Sequence, residues 1–415
     1  MNINATSSFS NMQLHTDYNQ DQSAEVRKHH HAKPKHDSAP QAAGDQVSLG
    51  GADKEAGVHK KWTFLHFGAG DNNLSSLIKG DVDEMEKVGS DANTHVISML
   101  DQSYGDCKTY YITKNNQSGL QSPVVQNHGS HVDMSDPKTL ANFIAWGVKN
   151  YPSDNVAVIL GSHGGGTMGA IADDRDGNFM SPQGLRQAFQ EAEKMTGKKI
   201  DVLGFDCCLM ANTEVAYELK DVANYIVASE ESEGGNGWPY HNVLNEKVLK
   251  GLQEALDTKL TITPEAFAKK IVGNASGVQS DLPTMSSIDT SKMGDVAKAV
   301  DGFANAIIGA KDFNTTLKNI ARRTEDFNGF KDIYHFCEQV ADSKEITDNK
   351  LKAEAKKVMA ALDDAIIANQ NSYQYPNAHG LQMEIPASGR PSNGYGNLQF
   401  AKDTHWDEAL NSMRS

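Results

Sequence analysis

Short apolar runs alternate with amphipathic segments of helical spacing between residues 60 and 240. The runs predict strands buried on both faces of a sheet, and the segments between them predict helices that cover it. Such alternation is typical of a mostly parallel sheet flanked by helices, so the sequence predicts an α/β fold. The predicted strands are 62–67, 95–100, 108–113, 156–160, 200–205 and 225–229, and the predicted helices are 74–88 with Asp71 as N-cap, 140–148, 182–192 and 214–219.

The pattern changes after residue 240, where helical spacing dominates. The predicted helices there are 242–256, 264–275, 290–309, 312–340, 346–368 and 400–413, and the strand-like pieces are 284–288 and 380–385. Residues 1–60 are polar and contain too few apolar side chains to offset the entropy of ordering. We therefore predict a disordered polar tail over 1–60, an α/β domain over 61–240, and a mainly helical domain with a few strands over 241–415, packed on it.

The composition excludes several classes of partner. The chain has 415 residues and a formal net charge of −15, whereas nucleic acid and anionic membranes attract clustered Lys and Arg.

No apolar run reaches the ~18 residues of a membrane span, and the first residues lack the features of a secretory signal. The four cysteines predict free thiols, which suit a reducing compartment. We expect a cytoplasmic protein by default, with leaderless secretion as the alternative.

Two loops, each directly after a predicted strand, carry reactive side chains. Residues 161–166 read Gly-Ser-His-Gly-Gly-Gly, and residues 206–208 read Asp-Cys-Cys. Because parallel strands end at one edge of a sheet, we expect His163 and Cys208 to face each other across a crevice. A cysteine attacks as its thiolate, and a nearby imidazole lowers the thiol pKa and protonates the leaving amine. The N–H groups of Gly164 and Cys208 are the predicted oxyanion hole.

Other interpretations of these residues are weaker. A lone cysteine is most often a small buried hydrophobe, and a lone histidine can simply cap a loop. Structural zinc sites normally show paired ligands such as C-x₂-C, which the sequence lacks. The glycines are not followed by the G-K-[ST] ending of a phosphate-binding loop. Residues 173–178 have no glutamate at EF-hand spacing, so they predict an exposed acidic turn, and no metal site is predicted.

Several motifs in chain order resemble the clostripain family of cysteine peptidases, relatives of caspases, legumain and gingipains. They are 62–64, 68–74, 83–85, 161–166, 205–211, 228–231, 235–240, 330–336 and 380–386, with Trp406 near the end. The resemblance implies a caspase-like α/β fold, His163 as general acid and base, and Cys208 as nucleophile. Cys207 stands where the family usually has a small residue, so the choice between the two thiols stays open.

The resemblance also implies an endopeptidase that cuts after Arg or Lys through a thioester acyl-enzyme. Asp206, two residues before the nucleophile, is the first candidate for the substrate pocket, because a carboxylate there can face a guanidinium bidentately. Glu230, Glu231 and Glu233 are the alternatives. Two competing hypotheses are the same mechanism with another preference at P1, the substrate residue before the cut, and a catalytically silent peptide-binding homologue.

Further expectations concern maturation, cofactors and partners. Arg175 is the only Lys or Arg between residues 164 and 183 and lies in a polar turn. Exposed turns are where proteolytic nicking concentrates, so the bond Arg175–Asp176 is the predicted site of self-processing. The chemistry requires no cofactor, and calcium is a candidate only by the family resemblance, since some relatives depend on it. The expected partners are protein or peptide substrates, and no oligomeric state is predicted.

Overall fold

A computed structural model describes residues 54–130, 132–175, 177–244, 262–275 and 282–414. A nine-stranded sheet forms its centre, and a three-stranded and a two-stranded sheet accompany it. The strands are β1 (Lys60–Gly70), β2 (Thr94–Gln102), β3 (Cys107–Tyr111), β4 (Val124–Gly129), β5 (Ser153–Gly161), β6 (Ala170–Asp173), β7 (Asn178–Met180), β8 (Ile200–Asp206), β9 (Ala223–Ala228), β10 (Thr284–Asp289), β11 (Asp326–Phe327), β12 (Phe330–Asp332), β13 (Ile366–Asn371) and β14 (Gln382–Met383).

The large sheet has the order β13-β10-β9-β8-β5-β1-β2-β3-β4. The five strands from β9 to β2 are parallel, and antiparallel strands extend the sheet at both edges. Every residue of β1 except Lys61 is buried, which is typical of a parallel strand covered on both faces. The predicted α/β class with a mostly parallel sheet is confirmed.

Helices cover both faces of the large sheet. Phe189 packs with Phe67 and Phe205 in the core of one face, and Val82 packs with Phe64 in the core of the other. The helices are α1 (Ser75–Glu86), α2 (Pro137–Asn150), α3 (Pro182–Thr196), α4 (Thr213–Glu218), α5 (Tyr240–Val243), α6 (Pro264–Ala275), α7 (Met293–Gly309), α8 (Asn314–Arg323), α9 (Ile333–Asp342), α10 (Asn349–Ala365), α11 (Gln399–Asp403) and α12 (Trp406–Met413).

The C-terminal region is mainly helical and carries a few strands, as predicted. Two of those strands, β10 and β13, extend the large sheet beyond β9, and all described residues belong to one compact unit. The domain boundary at residue 240 and the disordered tail stay predictions, since most of residues 1–60 lie outside the described residues. None of the described helices is long and apolar enough to cross a membrane.

The single helix predicted over 312–340 is wrong. The chain forms α8 and α9 with the β11–β12 hairpin between them, and its turn residues Asn328 and Gly329 have φ of 53° and 101°. Two successive residues in the left-handed region end any helix and suit a two-residue hairpin turn. The sequence signal for this hairpin is the Asn-Gly pair between Phe327 and Phe330.

Other local bounds differ from the predictions. Asp71 is not the N-cap of α1, because the helix begins at Ser75 after Leu74, and the side chain of Asp71 pairs elsewhere. The strands β4, β6, β7 and β13 were not predicted, because they are short or polar. The helix predicted over 346–368 ends at Ala365, and the helix predicted over 400–413 is divided into α11 and α12. The helix predicted over 242–256 lies largely outside the described residues.

Candidate active site

Two neighbouring parallel strands end side by side and carry the candidate residues. Gly161 at the end of β5 lies opposite Asp206 at the end of β8. The N–H of Ser162 donates to the carbonyl oxygen of Asp206 at 3.3 Å, which continues the pairing into the loops. His163 and Cys208 each follow two residues after the last paired position. The structure therefore brings them to the same edge of the sheet.

Gly164 lets the His loop (161–166) touch the Cys loop (206–211) through the backbone. A Cβ atom on Gly164 would lie 2.3 Å from the carbonyl oxygen of Cys208 and 2.9 Å from the Cβ of Cys207. No side chain fits in that space. The backbone bridge that follows uses the N–H groups of Gly165 and Ile171, so the N–H of Gly164 is not part of it.

The imidazole of His163 contacts Asn73, which is not among the predicted site residues. Its Nε2 lies 2.6 Å from Oδ1 of Asn73. Since an amide oxygen only accepts, Nε2 carries the hydrogen and Nδ1 is the basic nitrogen. Burial lowers the pKa of His163 and Asp174 partly opposes this, so the ring is neutral at pH 7. The sequence carries a signal for Asn73, because this residue lies just past the end of β1. Since β1 and β5 are parallel neighbours, the loops that follow them leave the same edge of the sheet.

The two adjacent cysteines occupy different environments. Cys207 points into the core, 1% exposed, and its thiol donates to the carbonyl oxygen of Leu160 at 3.2 Å. Burial raises the pKa of Cys207 well above its ordinary range. Cys208 is half-buried, and its Sγ accepts the N–H of Glu233 at 3.3 Å. Only Cys208 therefore combines a position at the edge of the sheet with some exposure.

The pKa of the Cys208 thiol is raised, contrary to the expectation that a nearby imidazole lowers it. Burial is the main cause, and the carboxyl groups of Glu231 and Asp206 add to the rise. The neutral His163 ring, bonded to Asn73, supplies no positive charge that would stabilise a thiolate. The resting site thus pairs a neutral thiol with a neutral imidazole.

Asp206 and Glu233 form a buried pair of carboxyl groups beside the Cys loop. Oδ2 of Asp206 accepts the O–H of Tyr240 at 2.8 Å and the N–H of Trp238 at 3.2 Å. Oε1 of Glu233 accepts the indole N–H of Trp238 at 3.4 Å, and the carboxyl groups of Glu233 and Asp206 share a hydrogen bond. Burial raises the pKa of both acids, and Asp206 raises that of Glu233 further. Burial, and after it the charge of Asp206, also raises the pKa of Asp81 in α1.

The other two acidic candidates turn toward the C-terminal region. The Oε2 of Glu230 accepts the N–H of Gly380 at 2.8 Å, and burial beside Asp332 raises the pKa of Glu230. Oε1 of Glu231 accepts the side-chain amide of Asn328 at 3.3 Å. Of the four predicted substrate-binding acids, the structure therefore brings Asp206 and Glu233 together and does not bring Glu230 to them.

Arg175 lies in the turn between β6 and β7, after the His loop. Its guanidinium pairs with Asp71 at 2.9 Å and donates to the carbonyl oxygen of Ser130, and its side chain is 38% exposed. Asp176, the other half of the predicted processing bond, lies outside the described residues.

In the described part of the chain, no group of three or more His, Cys, Asp or Glu side chains could hold a metal ion. Calcium dependence stays a prediction.

Comparison with known proteins identifies the family. The profile of the clostripain family, peptidase family C11, matches residues 66–412. The chain belongs to the clostripain family. Clostripain of Hathewaya histolytica is 23% identical to it over 419 residues, which cover 84% of this chain and 78% of clostripain.

Two solved structures share the fold of this clostripain-family chain. A secreted C11 cysteine protease of Bacteroides thetaiotaomicron, in complex with an irreversible peptide inhibitor, has a TM-score of 0.62 and 17% identity. An inactive zymogen C11 protease of Parabacteroides distasonis has a TM-score of 0.63 and 19% identity. In both cases the match covers 84% of this chain and 99% of the other. The protein is a clostripain-family cysteine peptidase, and peptides are its substrates.

The raised thiol pKa predicts the pH dependence of alkylation. In a Cys207→Ala variant, the rate at which iodoacetamide modifies Cys208 should climb through and beyond the ordinary thiol pKa near 8.5, because the thiol is protonated at neutral pH. Mass spectrometry of the modified peptide measures the rate. A rate that is already constant between about pH 6 and 8 would mean a preformed thiolate and contradict the neutral pair.

Proposed function

We propose that this peptidase cuts peptide bonds after Arg, and less efficiently after Lys, with Cys208 as nucleophile and His163 as general acid and base. The observation that supports this preference for basic residues is the buried pair of carboxyl groups of Asp206 and Glu233. Buried acids are unfavourable as anions unless a cation compensates them. A guanidinium that enters between them would replace the hydrogen bond that the two carboxyl groups share and donate to both.

The described part of the chain does not supply that cation itself. None of its ion pairs joins Asp206 or Glu233 to a Lys or Arg. An acidic P1 residue, the alternative preference, would need arginines in the pocket. The two arginines nearest the loops, Arg175 and Arg186, pair with other carboxylates at 2.9 and 2.6 Å. The substrate is therefore the proposed source of positive charge.

The proposed reaction begins with two neutral groups. His163 Nδ1 takes the Cys208 proton as the sulfur attacks the substrate carbonyl carbon. The carbonyl oxygen becomes an oxyanion, for which the N–H groups of Gly164 and Cys208 are the proposed donors. The imidazolium protonates the amine nitrogen as the C–N bond breaks and leaves a thioester. Water, deprotonated by the imidazole, then hydrolyses the thioester and restores the thiol.

The first test concerns the nucleophile. Cys208→Ala should abolish both peptide cleavage and covalent labelling by an arginyl chloromethyl ketone, measured by intact mass. Cys207→Ala is the matched control and should keep most of both, because its thiol is bonded in the core to Leu160. His163→Ala should slow cleavage by at least the roughly 10²–10⁴-fold that acid–base catalysis supplies. Labelling that survives loss of Cys208 would refute the assignment.

The second test concerns specificity. Asp206→Asn and Glu233→Gln should each weaken cleavage after Arg by about 2–5 kcal/mol of transition-state stabilisation, the range for truncating a buried charge pair. The unaltered enzyme should cleave Arg peptides with a higher kcat/KM than Lys peptides, because only Arg offers a planar fork of donors. Kinetics with matched Arg, Lys and Asp peptides measure this. Glu230→Gln is the control and should keep the preference, since Glu230 faces Gly380. A preference for Asp at P1 would overturn the proposal.

The third test concerns self-processing, for which the bond Arg175–Asp176 is the proposed site. The similar chain from Parabacteroides distasonis is described as an inactive zymogen. Here the ion pair with Asp71 competes with the pocket for the Arg175 guanidinium. A new N-terminus at Asp176 should form in aged protein, faster in Asp71→Asn, and should be missing from Cys208→Ala. N-terminal sequencing decides it, and a fully active chain that stays uncut would remove the proposal.

A further inference from the structure

The β11–β12 hairpin, from the C-terminal region, contacts three loops of the candidate site. A Cβ on Gly166 of the His loop would lie 2.8 Å from the ring of Phe330. Phe330 and Cys208 pack against a small apolar cluster that includes Leu209. The turn residue Asn328 reaches the pocket loop, which we define as residues 229–240. The hairpin therefore links elements that are distant in the sequence.

Asn328 holds two adjacent residues of the pocket loop. Its Nδ2 donates to Oγ of Ser232 at 2.9 Å and to Oε1 of Glu231 at 3.3 Å. The Glu231 carboxyl oxygen also accepts the N–H of Ser232 at 2.6 Å, so the three residues form one small network. Hydrogen bonds to a carboxylate are stronger than those between neutral groups.

The part of the pocket loop that Asn328 holds lies directly against the nucleophile. The carbonyl oxygen of Glu231 accepts the N–H of Leu209 at 3.3 Å, and the N–H of Glu233 donates to Sγ of Cys208 at 3.3 Å. Glu233 is also the acid whose carboxyl group faces Asp206. A displacement at Glu231 would therefore move the pocket acid relative to the nucleophile.

The pocket loop depends on an outside anchor because its own sequence is permissive. Three of the four residues 234–237 are glycines, which lose more conformational entropy on ordering than any other residue. The glycine at 237 is required, since it has φ of 58° and a Cβ there would lie 2.8 Å from Oδ2 of Asp206. Contacts on both sides of the glycines therefore hold the loop: those of Trp238 and Tyr240 with Asp206 after them, and those of Glu231 and Ser232 with Asn328 before them.

We propose that Asn328 is a positioning residue: its side-chain amide fixes Glu231 and Ser232 so that Glu233 is presented to the substrate's basic side chain. This inference rests on the proposed function, because the position of Glu233 matters only if substrate contacts it. Asn328 acts through the pocket loop, since its described side-chain bonds go to Glu231 and Ser232 and reach neither the thiol nor the imidazole.

Three variants separate this role from simple stabilisation of the turn. Asn328→Gly keeps a backbone suited to positive φ and removes the donor. Asn328→Asp keeps the size and tolerates positive φ, but it places a carboxylate beside Glu231. Asp326→Ala is the matched control, because Asp326 bonds the N–H of Gly329 within the same turn at 3.0 Å and makes no described bond to the pocket loop.

We expect the KM for an Arg peptide to rise about tenfold in Asn328→Gly, the value of one charge-assisted hydrogen bond, and further in Asn328→Asp. The kcat and the rate of Cys208 alkylation by iodoacetamide should change by less than about threefold. Asp326→Ala should lower the thermal midpoint without the rise in KM. If Asn328 only stabilised the turn, KM would rise in every variant whose thermal midpoint falls, Asp326→Ala included. The KM of Asn328→Asp would then be no higher than that of Asn328→Gly.

The failure of this inference is distinct from failure of the proposed specificity. An unaltered enzyme that does not prefer Arg refutes the specificity before any variant is made, and with it the role of Glu233 on which Asn328 depends. An enzyme that prefers Arg, with equal KM values in the unaltered protein and both Asn328 variants, refutes the role of Asn328 alone. A KM increase confined to the Asn328 variants supports it.

Discussion

The backbone contact between Gly164 and Cys208 is the constraint on which the candidate site depends. It exists because β5 and β8 are adjacent, parallel and in register to their last residues, Gly161 and Asp206. The loops that follow cannot separate without breaking that register. The relative position of imidazole and thiol therefore inherits the rigidity of a sheet buried on both faces, although both side chains lie on loops.

Burial in the resting site disfavours the charged forms of the groups that the proposed chemistry uses. Burial favours a neutral His163 ring, a protonated Cys208 thiol, and carboxyl groups at Asp206 and Glu233 that resist ionisation. A cationic side chain in the pocket would stabilise the ionised form of those acids, so that binding and ionisation are linked. An uncharged side chain would gain no such stabilisation, so the two carboxyl groups give the proposed preference for basic residues a physical basis.

The sequence predicts the elements that depend on local pattern, and it fails where distant packing decides. Strand periodicity and the rule that parallel strands end at one edge suffice to bring His163 and Cys208 together. The direction of Glu230 is not predictable in this way, because it depends on Gly380, 150 residues away. Asn73 and the hairpin at Asn328 were missed for a different reason. Their local signals, a polar residue past a strand end and an Asn-Gly pair, are present but common.

The order of the elements along the chain gives the β6–β7 hairpin a special position. β5 and the imidazole precede it, whereas β8 and the thiol follow it, yet β5 and β8 are neighbours at the centre of the sheet. A single break in this hairpin turns one polypeptide into an obligate heterodimer that contributes one reactive group from each chain. Recovery of activity after complete unfolding would then become second order in protein concentration, while the intact chain recovers at a rate independent of concentration.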